Sequence, residues 1–250
     1  MKTCITRMCA LALLVMSTTA GAQADDAIAN YEKAAEEFQK LGNVEKFVSS
    51  FNQIGVILTR QDQYERARKY LEKALATGLS SPGFSDLVVA DTYLALGVVY
   101  SAENQFDRSL EVHNKALDIR RARLGEFDAN VATSYGNIGN VHFRKQEYDR
   151  AIEAHERAMR IRAKVFGLNG PEIVESYRGL GNAYREKKQY ARALEYFQRA
   201  LENKVAQLGA GHKDLGRFYQ YISEVHSLAG NAVLSEEYRV KAESLETPKG

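Results

Sequence analysis

A fixed repeat constrains this chain more than any local feature, because stacked copies of one short unit fold as a quasi-one-dimensional array. The fragments Gln53-Ile-Gly55, Ala95-Leu-Gly97, Asn137-Ile-Gly139, Gly179-Leu-Gly181 and Tyr221-Ile-Ser223 each end 42 residues after the last. Other columns keep the same interval. An aromatic stands four residues before the small position (Phe51, Tyr93, Tyr135, Tyr177, Tyr219), and an alanine nineteen after it (Ala74, Ala116, Ala158, Ala200, Ala242). Two after it comes a small or branched apolar residue (Ile57, Val99, Val141, Ala183, Val225).

Spacings of three and four place residues on one helix face. The aromatic, the Ile or Leu and the small residue therefore form one stripe of a first helix. Glycine costs about 1 kcal/mol against alanine in a helix, and close approach of a second helix is the reason to accept it at Gly55, Gly97, Gly139 and Gly181. A polar turn follows, with Asp62, Asn104, Gln146, Lys188 and Gly230 aligned, and the second helix opens on Tyr64, Phe106, Tyr148 or Tyr190 in four of the five units. The small residues Ala67, Ser109, Ala151, Ala193 and Ser235 three positions later mark helix crossings. Pro82 and Pro171 fall between repeats and Pro248 in the tail, as expected of a residue that breaks helix interiors.

The pattern resembles the tetratricopeptide repeat family over roughly residues 44–246: an aromatic, then Leu-Gly, a small residue early in the second helix and an alanine near its end. The family's common unit is about 34 residues. The 42-residue form looks like the kinesin light chain type, with longer second helices and loops, and Ala116-Leu-Asp-Ile-Arg-Arg-Ala-Arg-Leu-Gly125 fits that variant. The resemblance implies an all-α superhelical solenoid of about five helix pairs, at 44–86, 87–130, 131–172, 173–214 and 215–246, ahead of a tail at 247–250. A capping helix is expected within 25–43, where Tyr31, Ala34 and Phe38 repeat the spacing of Tyr64, Ala67 and Leu71.

Residues 1–24 read as an export signal: Lys2 and Arg7, then an apolar run from Cys9 to Met16, then Ala22-Gln-Ala24. The run is shorter than the roughly 20 residues that span a bilayer. Export to a bacterial periplasm, or secretion, is the expectation, without stable membrane insertion. Cys4 and Cys9 would leave with the signal, so the mature chain would hold no disulfide, thiolate nucleophile or Cys-ligated metal. Removing Lys2 and Arg7 leaves Lys+Arg equal to Asp+Glu at 32 each. That balance argues against a nucleic-acid partner, which calls for a basic excess.

A solenoid of helix pairs presents a concave surface lined by first helices, and the side chains free to line it lie six, three and two before the small residue and one after it. These are Ser49, Asn52, Gln53 and Val56, then Asp91, Leu94, Ala95 and Val98, in the apolar early units. The later units are polar: Thr133, Gly136, Asn137 and Asn140, then Glu175, Arg178, Gly179 and Asn182, then Arg217, Gln220, Tyr221 and Glu224. Asparagine both donates and accepts, so Asn137, Asn140 and Asn182 suit the backbone of a bound peptide, and Arg178 suits a carboxylate. The expected groove contacts are these four with Gln220, Tyr221 and Leu94. Family members that grip a C-terminal carboxylate with a Lys/Asn clamp imply one half of such a clamp in Arg178 and Asn182, but Tyr221 stands where the next asparagine would.

The partner is thus expected to be a protein or peptide. Self-association is the alternative, although the exposed second-helix residues read as mixed charge without a long apolar patch. An enzyme is the remaining class, without support: no Gly-rich phosphate loop or metal spacing occurs, and no cofactor is implied. The histidines fall in repeat columns, His142 with His226 and His113 with His155, and read as packing residues; His212 belongs to a loop cluster. The arginines of Arg120-Arg121-Ala-Arg123 and Arg160-Ile-Arg162 lie near second-helix ends, where the helix dipole favours positive charge and no partner need be invoked.

Overall fold

The computed structural model describes residues 23–81 and 84–245. The Lys2–Met16 signal features, Pro82 and Pro248 lie outside them. Among the described residues the chain is all-helical, without strands. Helix α1 covers 23–40. It is followed by α2 (Val44–Arg60), α3 (Tyr64–Ser80), α4 (Asp86–Ala102), α5 (Phe106–Leu124), α6 (Ala129–Arg144), α7 (Tyr148–Phe166), α8 (Val174–Glu186), α9 (Tyr190–Leu208), α10 (Gly216–Leu228) and α11 (Ala232–Ser244). Single 3₁₀ turns, Pro171–Ile173 and Lys213–Leu215, lead into α8 and α10. Pro171 suits the first position of its turn, where no intrahelical N–H is needed.

The helices form two compact units that divide between Gln105 and Phe106. The first contains α1, the pair α2–α3, and α4. The second contains α5 and the pairs α6–α7, α8–α9 and α10–α11.

The turn between paired helices is set by backbone geometry that shows in the sequence only as polarity. Asp62, Asn104, Gln146 and Lys188 all take positive φ, between 57° and 63°, as does Gly230 at 80°. Each left-handed residue lets the following N–H reach back to a carbonyl of the last helical turn, as in Gln63 N to Leu58 O (2.9 Å), Glu147 N to His142 O (2.9 Å) and Gln189 N to Tyr184 O (2.9 Å). That bond closes a Schellman-type cap and satisfies carbonyls the helix end would orphan. Asn and Asp tolerate the left-handed region readily; Gln146 and Lys188 are held there by the cap and the packing on either side.

The small positions do what the repeat predicted. An added Cβ at Gly55 would lie 2.6 Å from the Leu71 side chain, at Gly139 2.9 Å from the His155 ring and at Gly181 2.6 Å from the Phe197 ring. Ala74, Ala116, Ala158 and Ala200 are wholly buried. Around Phe197 pack Leu180, Ala183, Tyr184, Ala193, Ile222 and Val225; full burial of one such large apolar side chain stabilises by about 1.5–3 kcal/mol. In the last pair Ser223 replaces glycine, and its Oγ donates to the Ser235 carbonyl at 2.7 Å. A hydrogen bond across the crossing thus takes over from bare backbone contact.

Two expectations need correction. In α1 the fully buried small residue is Ala35, one position after Ala34, with Ile28 buried a further two turns back and Tyr31 and Phe38 only half-buried; the helix turns its face by one residue relative to the α3 pattern, and Tyr70 of α3 donates to Glu32. In α11 the outward side is not simply charged, because Val233, Leu234 and Val240 are 83%, 40% and 51% exposed.

Candidate functional site

The first helices of the second unit, α6, α8 and α10, carry the predicted groove residues. Asn137 is half-buried and Asn140 exposed on α6, and Asn182 is half-buried on α8. None of these three amides makes a hydrogen bond among the described residues, so their donors and acceptors are free for a ligand. Gln220 is exposed on α10. Leu94, half-buried, belongs to α4 of the first unit.

Two predicted residues are engaged within the chain. Arg178 does grip a carboxylate, but its own neighbour's: Nε and Nη2 donate to Glu175 Oε2 at 3.0 and 2.5 Å. Glu175 is exposed, so this i, i+3 pair is one that a better-placed carboxylate can displace. Tyr221 works mainly in packing, stacked on Phe197 at 5.1 Å between ring centres and edge-on to Phe218 at 6.1 Å. An asparagine there would forfeit those ring contacts, which accounts for the break in the asparagine pattern. At the α8–α10 step, Arg185 donates to Glu224 at 2.7 Å, tying down the acidic groove position of the last pair.

The floor between α6 and α8 is built from glycines and a buried imidazole. His155 of α7 is 3% exposed. A Cβ at Gly139 would lie 2.9 Å from its ring and one at Gly179 2.6 Å from it, so the ring sits between the two backbones. Its Nδ1 has no hydrogen-bond partner. Burial pushes the imidazole pKa down to about 4, with the positive charges of Arg178 and Arg162 adding to the effect. His155 is therefore neutral at physiological pH. His113, one repeat earlier, is equally buried and likewise lowered to about 4, first by burial and then by Arg120. His226 is also buried, stacked on Tyr238 at 5.6 Å. His142 is half-buried and bonds Glu147 through Nδ1 at 2.7 Å, which holds that carboxyl below its usual range. His212 Nδ1 accepts from the Asp214 amide at 3.2 Å. Each histidine has a packing or capping role in its column.

The sequence reading missed two arginines. Arg120, expected to need no partner beyond the helix end, is 5% exposed and donates to the Asn130 carbonyl at 2.9 Å and to Ser134 Oγ at 3.2 Å. Arg162, its counterpart one repeat on, is half-buried and donates to Ser176 Oγ at 2.7 Å. Both reach from the end of a second helix to the next first helix. The signal was present: Arg120 and Arg162 are one period apart, and a serine follows each by fourteen residues.

A cleft of about 360 Å³ lies elsewhere, between α5 and α7 over Tyr135 and Ile138 of α6. The charges around it are paired within the chain: Arg121 with Glu126 (2.7 Å), Arg150 with Glu147 (3.2 Å) and Arg157 with Glu153 (2.8 Å). The groove floor, by contrast, leaves amides, an imidazole nitrogen and guanidinium donors unspent. Among the described residues no three His, Asp or Glu side chains converge as metal ligands, and no helix is long and apolar enough to cross a membrane.

The fold matches known structures. BtubC (BKLC) from P. vanneervenii superposes with a TM-score of 0.78 at 19% identity, covering 89% of this chain and 91% of the other. A putative kinesin light chain with nearly identical TPR-like repeats, from Podosopora anserina, gives 0.70 at 16% identity over 81% of this chain and 97% of the other. Pseudomonas aeruginosa pilF gives 0.57 at 20% identity, covering 78% and 75%. At these identities the likeness establishes the fold alone. Among curated proteins, no sequence matches significantly. The tetratricopeptide repeat family model, however, matches residues 46–122 and 130–204. With that match spanning more than half of the sequence and the glycine, alanine and turn columns packed as described, the chain belongs to the tetratricopeptide repeat family.

Proposed function

We propose that this protein is an exported, non-catalytic scaffold that binds a peptide segment of a protein partner along the first helices of its second unit. Tetratricopeptide repeats are generally protein-interaction scaffolds, and the observation that carries the reading here is the set of unengaged amides. Asn137, Asn140 and Asn182 hold donors and acceptors along two adjacent helices and spend none of them on the chain itself. An extended peptide backbone needs both. Export rests on Lys2, Arg7, the short apolar run and Ala22-Gln-Ala24, with a bacterial periplasm as the compartment.

The test is a photoreactive side chain at exposed position 140, with a control at exposed Glu202, irradiated in the native compartment. A discrete cross-linked species is expected from 140 and not from 202, and Asn137→Ala with Arg178→Ala should deplete it while the circular dichroism spectrum stays unchanged. Equal labelling from both positions, or indifference to the double substitution, removes the groove assignment.

Self-association is the second reading. The exposed Val233, Leu234 and Val240 of α11 favour it, and light scattering of the purified protein separates monomer from oligomer.

A further inference from the structure

A column of the second helices sets a tyrosine against the first-helix aromatic of its own repeat. Fifteen residues after the small position, it reads Tyr70, Val112, Ala154, Tyr196 and Tyr238. Tyr70 meets Phe51 edge-on at 5.3 Å between ring centres, Tyr196 lies 6.2 Å from Tyr177, and Tyr238 lies 6.2 Å from Tyr219. The last two also stack on the ring seven residues further along the first helix, Tyr196 on Tyr184 and Tyr238 on His226, each at 5.6 Å. A cation of the second helix stands over each phenol, Arg199 at 5.8 Å from the Tyr196 ring and Lys241 at 4.7 Å from the Tyr238 ring.

The third repeat keeps these parts except the phenol. Tyr135 and His142 hold the columns of Tyr177 and Tyr184, and of Tyr219 and His226, while Arg157 holds the column of Arg199 and Lys241. In the phenol's own column stands Ala154. There lies the cleft of about 360 Å³, with Leu117, Tyr135, Ile138 and Ala154 as its apolar lining and His142 and Arg157 beside them. A cavity of roughly 150 Å³ suffices for a benzene ring. Arg157 is bonded to Glu153 and to Tyr135. The N–H bonds of a guanidinium lie in its plane, so these pairs do not bar it from lying over an aromatic face, and it already stands 5.6 Å from the Tyr135 ring.

We infer that this cleft is a docking slot for a tyrosine side chain of a protein partner, whose ring completes the stack that the chain closes elsewhere with its own Tyr196 and Tyr238. The occupant follows from the counterparts of the slot. A phenol borne on a helix fills that place twice, once against a tyrosine and once against a histidine equivalent to His142. Charge agrees, since the electron-rich face of an aromatic ring attracts a cation within about 6 Å, and aromatic pairs favour offset or edge-on neighbours of the kind that Tyr135 and His142 offer. The slot opens between the second helices α5 and α7, whereas the groove proposed above runs along first helices, so the two readings stand independently.

Three ligands test it, with the Ala154 and Ile138 methyl resonances of the full protein as reporters: an acetylated and amidated alanine pentapeptide with a central tyrosine, the same peptide with a central cyclohexylalanine, and p-cresol. The tyrosine peptide is expected to move both methyls saturably, through the ring current of a phenol lying against them. It should bind about tenfold or more tighter than the cyclohexylalanine peptide, which matches its bulk without a π face. Ala154→Tyr should abolish the Ile138 response, because the chain then fills its own slot. If that variant fails to fold, the two peptides compared on the wild-type protein decide. No shift with the tyrosine peptide, equal affinity for the cyclohexylalanine peptide, or an undiminished Ile138 response in folded Ala154→Tyr overturns the slot. A response to p-cresol alone overturns the partner side chain in favour of a free aromatic molecule. Shifts confined to Asn137 and Asn140 overturn the slot and leave the groove reading in place.

Discussion

Helices α7 and α11 hold the same place in their repeats, 84 residues apart, and share little of their burial. In α7, Ala151, Ile152, Ala154, His155, Ala158 and Ile161 are all buried. Their counterparts are Ser235, Glu236, Tyr238, Arg239 and Ala242 of α11 and Leu245 just after it, of which Ala242 alone is buried. The column that carries Leu71, His113, His155 and Phe197 through the interior ends on Arg239, which pairs with Glu236 at 2.6 Å and with Glu243. A second helix in the array is a core element only when another first helix follows it. After α11, where none follows among the described residues, the same backbone position presents charge to water. The contrast teaches that burial here belongs to the neighbour relation between repeats and not to the single repeat, as expected of an array stabilised by nearest-neighbour interfaces.

The sharpest way to break that comparison is to truncate both ends of one column. Phe197→Ala should cost about 3–5 kcal/mol, read as a large drop in the denaturation midpoint. Arg239→Ala should leave the midpoint where it is, since exposed ion pairs contribute little. Equal losses would mean that α11 is packed as tightly as α9.

A smaller effect is expected from overfilling a crossing. Gly139→Leu should destabilise by about 1–3 kcal/mol, because the first added carbon already falls 2.9 Å from the His155 ring. Ser223→Leu, at the α10–α11 crossing, should cost less, since α11 buries little beyond Ala242 and can move away more easily. A thermal melt of the two variants side by side checks the order, and an unchanged midpoint for Gly139→Leu would show the helix phase to be wrong.

The smallest effect concerns pH. His113 and His155 have folded pKa values of about 4 against an ordinary 6.5. Between those limits the unfolded chain binds more protons than the folded one, so stability is fully present above pH 6.5 and declines as the pH falls toward 4. His155→Leu, placing there the residue that the first repeat carries as Leu71, should flatten part of that decline in denaturant titrations between pH 7 and 4.5. An unchanged slope would mean that the imidazole is not held neutral by the core.

The periodic residues were readable without coordinates because each type has one steric use at its position. Gly55, Gly139 and Gly181 admit a neighbouring side chain, and the alanines fill the crossings. Asp62, Asn104, Gln146 and Lys188 were read only as polar, since nothing in a glutamine or lysine announces a left-handed backbone; the cap imposes it. The partners of Arg120 and Arg162 were not legible because the helix dipole alone accounts for positive charge near a helix end. Burial depended on where the next helix passes, 10 to 14 residues further along the chain. The candidate site divides the same way. The places of Asn137, Asn140 and Asn182 followed from counting positions, whereas the packing of Tyr221 on Phe197 and the bond from Arg162 to Ser176 required knowing which helices lie side by side.

The sequence by itself determined the helix pairs, their period and the residues at their crossings, since these follow from spacing along one helix and from side-chain size. Only the tertiary structure decided which polar side chains are buried and which charges meet from one repeat to the next, as Arg185 meets Glu224, because those depend on distances between residues that the period brings together from different repeats.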